Sequence, residues 1–78
     1  MNEAEEIPVE SEIIGNAVVV RPMGDIDLSR APSLRVQLAE FQQQRPAKLI
    51  IDLEEVPYMD SSGVATLVEA MQTARRSN

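Results

Sequence analysis

Lys48-Leu49-Ile50-Ile51-Asp52-Leu53 is an almost continuous aliphatic run, rich in β-branched residues, in a chain of 78 residues. A run of that length and composition predicts a strand buried on both faces, the pattern of a parallel sheet. Parallel neighbours need a crossover between them, and the residues before the run supply one. Ala31, Leu34, Leu38 and Phe41 recur at helical spacing, with Arg35, Gln37, Glu40 and Gln42 mostly on the other side, which predicts an amphipathic helix. Ser29 stands as its N-cap, and Pro32 falls in the first turn, where its missing N–H costs nothing. Gln43-Gln44-Arg45-Pro46 ends the helix, because the residue before a proline is pushed out of the α region. Further upstream, Gly15-Asn16 lies between Ile13-Ile14 and Ala17-Val18-Val19-Val20. Both turn residues tolerate positive φ, so the segment predicts a hairpin. Pro22 takes the chain out of the sheet, and Gly24-Asp25-Ile26-Asp27-Leu28 is loop.

Downstream of the run, Glu54 to Met59, with Pro57, is a connector. Asp60 then fronts a second helix whose apolar positions Val64, Leu67, Val68 and Met71 predict its buried stripe, with Arg75 and Arg76 in the last turn, where cations suit the helix dipole. The order is strand, strand, helix, strand, helix. The fold class is therefore α/β: a small mixed sheet with an N-terminal hairpin and a right-handed βαβ crossover, helices packed on the sheet. The length allows one small domain. Residues 1–12 carry Glu3, Glu5, Glu6, Glu10 and Glu12 and no base. They predict an acidic leader that frays, with its last residues joining a strand. Residues 13–78 form the domain. No strand follows the second helix, so one side of it lacks a neighbour and the domain is expected to be incomplete at its C-terminus.

Composition narrows the chemistry. Phe41 and Tyr58 are the only aromatic residues, so the core is aliphatic. A net charge of −6 argues against direct binding of nucleic acid or of an anionic membrane surface. No apolar run approaches the roughly 20 residues a membrane-spanning helix needs. The acidic start is no secretory signal, and a cytoplasmic home is expected. Without cysteine or histidine there is no disulfide, no thiolate, no imidazole base and no imidazole zinc ligand.

Asp60-Ser61-Ser62-Gly63 joins the connector to the second helix. The first backbone N–H groups of a helix lack intrahelical partners, and an aspartate there accepts some of their hydrogen bonds. A phosphate on Ser61 would meet the positive end of the dipole and those same groups. It would also add roughly −1.5 to −2 charge to a surface already holding Asp60, Asp25 and Asp27, so a partner docked there would be repelled. Read alone, the tetrapeptide is explained better by plain helix capping. Serine catalysis does not fit, since no base but Lys48, on a strand, is on offer. Asp25 and Asp27 fit turn chemistry better than a Mg²⁺ site. A receiver-like domain with Asp52, Asp25 and Asp27 around Mg²⁺ is a further reading, weakened because Leu53 follows Asp52 within the apolar run.

Three stretches together resemble the STAS domain family, in particular its anti-sigma factor antagonists: Val19-Val20-Arg21-Pro22-Met23-Gly24-Asp25-Ile26-Asp27, Leu49-Ile50-Ile51-Asp52-Leu53 and Val56-Pro57-Tyr58-Met59-Asp60-Ser61-Ser62-Gly63-Val64. The resemblance runs from Ile13 onward. It implies a non-enzymatic partner-switching module with no cofactor and no metal. Unphosphorylated, such a module binds an anti-sigma factor that is also a serine kinase, and so frees a sigma factor for transcription. Phosphorylation, mapping here to Ser61, inactivates it, and a phosphatase acting on the phosphoserine restores it. Asp25, Asp27, Asp60, Ser61, Ser62 and Gly63 are the partner-binding residues so implied. The family continues with a further strand, helix, strand and helix, so the resemblance also implies an incomplete domain, open to homodimer formation or domain swapping. An accessory subunit of a transporter or of a stress-sensing complex is the alternative, though such domains often lose the serine.

Overall fold

The computed structural model describes residues 5–77. The elements are β1 (Val9–Ile14), β2 (Ala17–Pro22), α1 (Ala31–Gln43), β3 (Lys48–Ile51) and α2 (Ser61–Ser77). The sheet order is β1-β2-β3, with β1 antiparallel and β3 parallel to β2. The hairpin and the crossover thus form the expected mixed α/β sheet. In the hairpin turn only Gly15 takes a positive φ, at 60°, which suits a turn with glycine at its first central position.

The last residues of the acidic segment, 9–12, join a strand as expected, but Ile7 ahead of them is not frayed. The first strand begins at Val9 rather than Ile13, and Ile7 is 2% exposed. The Ile7 N–H donates to Ser33 Oγ at 3.1 Å, and its carbonyl accepts from Gln37 Nε2 at 3.0 Å. The acidic character of the segment misleads because strand side chains alternate. Glu10 and Glu12 stand opposite Arg21 and Val19 on one face, while Val9 stands opposite Pro22 on the other. Residues 1–4, with Glu3, lie outside the described residues, as does the Arg76 side chain.

The helices cover one face of the sheet. Val9, Val18, Val20, Leu49 and Ile51 pack there with Leu34, Leu38, Ala70 and the buried Ile26 and Ile7. The predicted stripe of α1 is inside: Ala31, Leu34 and Leu38 are buried and Phe41 is half-buried. Its start differs from expectation. Ser29 does not cap the helix, because its hydroxyl lies 2.8 Å from Asp27 Oδ1. Its end carries Arg45 in the left-handed region at φ 53°, just before Pro46, where a helix C-terminus usually places glycine.

Two expectations fail on burial. In α2 the side facing the fold is made of Gly63, Thr66 and Ala70, with Leu67 half-buried, whereas Val64, Val68 and Met71 are 46–57% exposed. Both stripes repeat at helical spacing, and the periodicity cannot choose between them. The smaller residues face inward because α2 runs close to α1: Gln42 Nε2 donates to the Ala70 carbonyl at 2.8 Å, and Arg35 Nε meets Glu69 Oε2 at 3.1 Å. In β3 only Leu49 and Ile51 face the helices, and Ile50 is 46% exposed. β3 sits at the sheet edge, and no described helix covers the other face.

That other face is held by charge. Arg21 reaches Glu10 at 3.7 Å, Glu12 at 3.6 Å and Asp52 at 3.1 Å, linking β1, β2 and the residue after β3. The hydrogen bond to Asp52, helped by the charges of Asp52 and Glu12 and opposed by partial desolvation, holds the Arg21 guanidinium above its ordinary value.

Leu34 is fully buried at the meeting of sheet and helices. Leu34→Ala is expected to cost about 2–5 kcal/mol, comparable to the whole stability of so small a domain. Loss of the cooperative melting transition in circular dichroism is the expected readout.

Candidate functional site

The two loops that leave the carboxyl ends of the adjacent strands β2 and β3 run side by side. Gly24 N–H donates to the Glu55 carbonyl at 2.9 Å, Ile26 N–H to Tyr58 at 3.0 Å, and Asp60 N–H to Ile26 at 3.1 Å. Ile26 and Met59 form an isolated parallel bridge. Gly24 makes the approach feasible with φ 103°, a conformation closed to most side-chain-bearing residues. The register places Asp27 beside Asp60, and Leu28 beside Ser61. Carboxyl ends of strands in α/β sheets are where such folds build their sites.

Asp60 organises the junction. Its Oδ1 accepts from the Ser62 N–H at 2.9 Å, the Ser62 hydroxyl at 2.5 Å and the Gly63 N–H at 3.3 Å. The Leu28 N–H, from the other loop, also faces this carboxylate and favours its charged form. The Ser62 hydroxyl, followed by the Gly63, Ser62 and Leu28 amides, holds Asp60 below the ordinary carboxylate range. Asp27 repeats the arrangement one loop over, accepting from the Ser29 hydroxyl and from the Ser29 and Arg30 amides, and it too is held low.

The two serines are not equivalent. Ser62 spends its hydroxyl on Asp60. Ser61, the first residue of α2, is exposed, and its hydroxyl has no hydrogen-bond partner among the described residues. Of the residues expected here, Asp25, Ser61 and the half-buried Asp27, Asp60 and Ser62 share one end of the sheet. Gly63 differs, because it is buried and offers no surface to a partner. Its role is packing: a Cβ there would stand 2.8 Å from Ile26 Cγ2 and collide with Met59. Asp52 takes no part. It is tied to Arg21 and accepts from the Glu54 N–H at 2.9 Å, which holds it low. The receiver-like arrangement is not present, since no three metal-ligating side chains converge among the described residues. Sequence reasoning gave no role to Leu28, 75% exposed beside Ser61. The pairing of the Asp27-Leu28-Ser29 and Asp60-Ser61-Ser62 turns was the available signal. Among the described residues no helix is long and apolar enough to cross a membrane.

Two outcomes follow from this geometry. Gly63→Ala is expected to push α2 off Ile26 and Met59, lowering the melting temperature by roughly 5–15 °C. The pH dependence has a fixed sign. Asp27, Asp52 and Asp60 bind protons more weakly folded than unfolded, so their contribution is complete above the ordinary value of 3.8. It is lost as pH falls through 3.8 towards the lower folded values. The urea midpoint should therefore fall between about pH 5 and about pH 2, and less steeply in Asp60→Asn, which keeps an acceptor but does not titrate. A midpoint flat over that range would contradict the assignment.

A STAS domain family model matches residues 8–78. An anti-sigma-B factor antagonist of Listeria monocytogenes is 40% identical over 53 residues, covering 68% of this chain and 46% of the relative. The chain thus spans about half the length of that curated relative. The crystal structure of an anti-sigma factor antagonist from Mycobacterium paratuberculosis superposes with a TM-score of 0.81 at 29% identity, covering 85% of this chain and 56% of that one. The anti-sigma factor antagonist SpoIIAA in its unphosphorylated form shares the fold, with a TM-score of 0.69 at 24% identity over 90% of this chain and 66% of its own. With the mixed sheet, the paired loops and the Asp60-Ser61-Ser62-Gly63 helix start all in place, the chain belongs to the STAS domain family.

Proposed function

We propose that this chain is the phosphoacceptor and partner-binding part of an anti-sigma factor antagonist. In its unphosphorylated form it binds an anti-sigma factor that is also a serine kinase, and sigma-factor-dependent transcription follows. Phosphoryl transfer from ATP to Ser61 ends the binding, and a phosphatase acting on the phosphoserine restores it. The chain works by binding and being modified rather than by catalysis, in the cytoplasm, on a surface formed by Asp25, Asp27, Asp60, Ser61 and Ser62.

The observation that carries this reading is the exposed, unpartnered Ser61 hydroxyl beside a neighbour whose hydroxyl is already committed. A phosphate at the first position of α2 stays at the positive end of the helix dipole, so the fold tolerates it. It adds roughly −1.5 to −2 charge next to two carboxylates held ionised, and a partner seated there must desolvate and oppose that charge. Likeness to antagonists named for anti-sigma factors supports the same reading.

The test takes the anti-sigma factor kinases of the source organism one at a time with Mg-ATP and maps the modified residue by mass spectrometry. Phosphate is expected on Ser61 and not on Ser62. Ser61→Ala should bind the kinase as the unmodified protein does, and Ser61→Asp at least about tenfold more weakly. Equal binding by both variants, or phosphate on Ser62, would count against the proposal.

A further inference from the structure

We infer that Leu28 is the apolar anchor through which the kinase that modifies Ser61 recognises this chain. The inference rests on the function proposed above and assigns a contact on that same surface. Single exposed aliphatic side chains are commonplace; what distinguishes Leu28 is how it is held and where. The Asp27 carbonyl accepts from Arg30 N–H at 3.1 Å and Ala31 N–H at 2.8 Å, and the Asp27 carboxylate accepts from Ser29 and Arg30. The Leu28 amide itself faces the Asp60 carboxylate. The backbone on both sides of Leu28 is therefore fixed, and presenting its side chain costs little further ordering on binding.

Position supplies the second argument. The Ile26–Met59 bridge sets Asp27-Leu28-Ser29 level with Asp60-Ser61-Ser62. In each turn the aspartate accepts both the amide and the hydroxyl of the serine two residues on. The residue between is thereby left exposed: a hydroxyl at Ser61 and an isobutyl group at Leu28. A protein that brings a phosphoryl donor to Ser61 therefore meets Leu28 on the adjoining turn. The surroundings indicate the chemistry of the cover. Asp25, Asp27, Asp60 and Glu5 ring the two turns, with Arg30 as the cation among them; its Nη1 lies 3.4 Å from the Asp25 carbonyl, and Glu5 Oε1 lies 3.1 Å from the Ser29 hydroxyl. The complement is a small apolar pocket with a basic rim, beside the kinase's nucleotide site.

The experiment measures, by calorimetry, binding of the purified anti-sigma factor kinases of the source organism to the unphosphorylated chain and to Leu28→Ala, Leu28→Met, Ile13→Ala and Ser61→Asp. Ile13 is 78% exposed beside the hairpin turn, at the opposite end of the sheet, and serves as the control. Removing a leucine side chain that becomes buried on binding weakens affinity roughly ten- to hundredfold. Leu28→Ala should show that loss with an unchanged melting temperature, while Leu28→Met and Ile13→Ala stay close to the parent. Leu28→Ala binding as tightly as the parent while Ser61→Asp binds poorly overturns the anchor and leaves the proposed function standing. Failure of the parent to bind any of the kinases overturns both.

Discussion

The carboxylate of Asp60 is the constraint on which the functional end of this molecule depends. It accepts the Ser62 and Gly63 amides and the Ser62 hydroxyl, and the Leu28 amide of the neighbouring loop faces it. The Ser62 amide would otherwise be unpaired at the helix start, and the Gly63 amide is shared between this carboxylate and the Asp60 carbonyl. A charged acceptor makes such bonds stronger than a neutral one could. One side chain therefore starts the helix, joins the loops and decides which serine keeps a free hydroxyl. The main chain of Asp60 works to the same end: its N–H donates to Ile26, and its carbonyl accepts from Gly63 and Val64. Gly63 completes the junction by lacking a side chain, so that Ile26 and Met59 can close against the helix.

The sheet beneath is asymmetric, and that asymmetry explains where the charges lie. One face is packed by both helices around Leu34, Leu38 and Val20. The other carries Arg21, Glu10, Glu12 and Asp52, whose ion pairs tie the strands together laterally. The two pairs with the exposed Glu10 and Glu12 contribute little stability individually. The core must therefore supply most of what holds β3 and the two loops in register.

Much of the fold was legible in the sequence because local chemistry and tertiary packing agree there. Gly15-Asn16 turns the hairpin, Ala31, Leu34 and Leu38 face inward, and Lys48–Ile51 pairs parallel to β2. The errors arise where a periodic signal has two solutions or a polar pattern has two causes. Val64, Val68 and Met71 and the set Gly63, Thr66 and Ala70 both repeat at helical spacing, and only the closeness of α1 selects the smaller set. Glu10 and Glu12 read as solvated chain, yet they are the outward half of a strand whose partner carries Arg21. At the site, Asp60 and Ser61 were marked by their motif, but the difference between Ser61 and Ser62 lies in which hydroxyl turns back to the carboxylate. Leu28 stayed silent because its significance is positional, set by the Ile26–Met59 bridge between distant segments.

The most direct test of the central claim is an NMR titration of the Asp60 side-chain carboxyl, followed together with the amide protons of Leu28, Ser62 and Gly63. The account predicts that Asp60 titrates below the ordinary value of 3.8, and that all three amides shift with the same midpoint, Leu28 included. An Asp60 carboxyl titrating at that ordinary value while the Leu28 amide does not respond would contradict it.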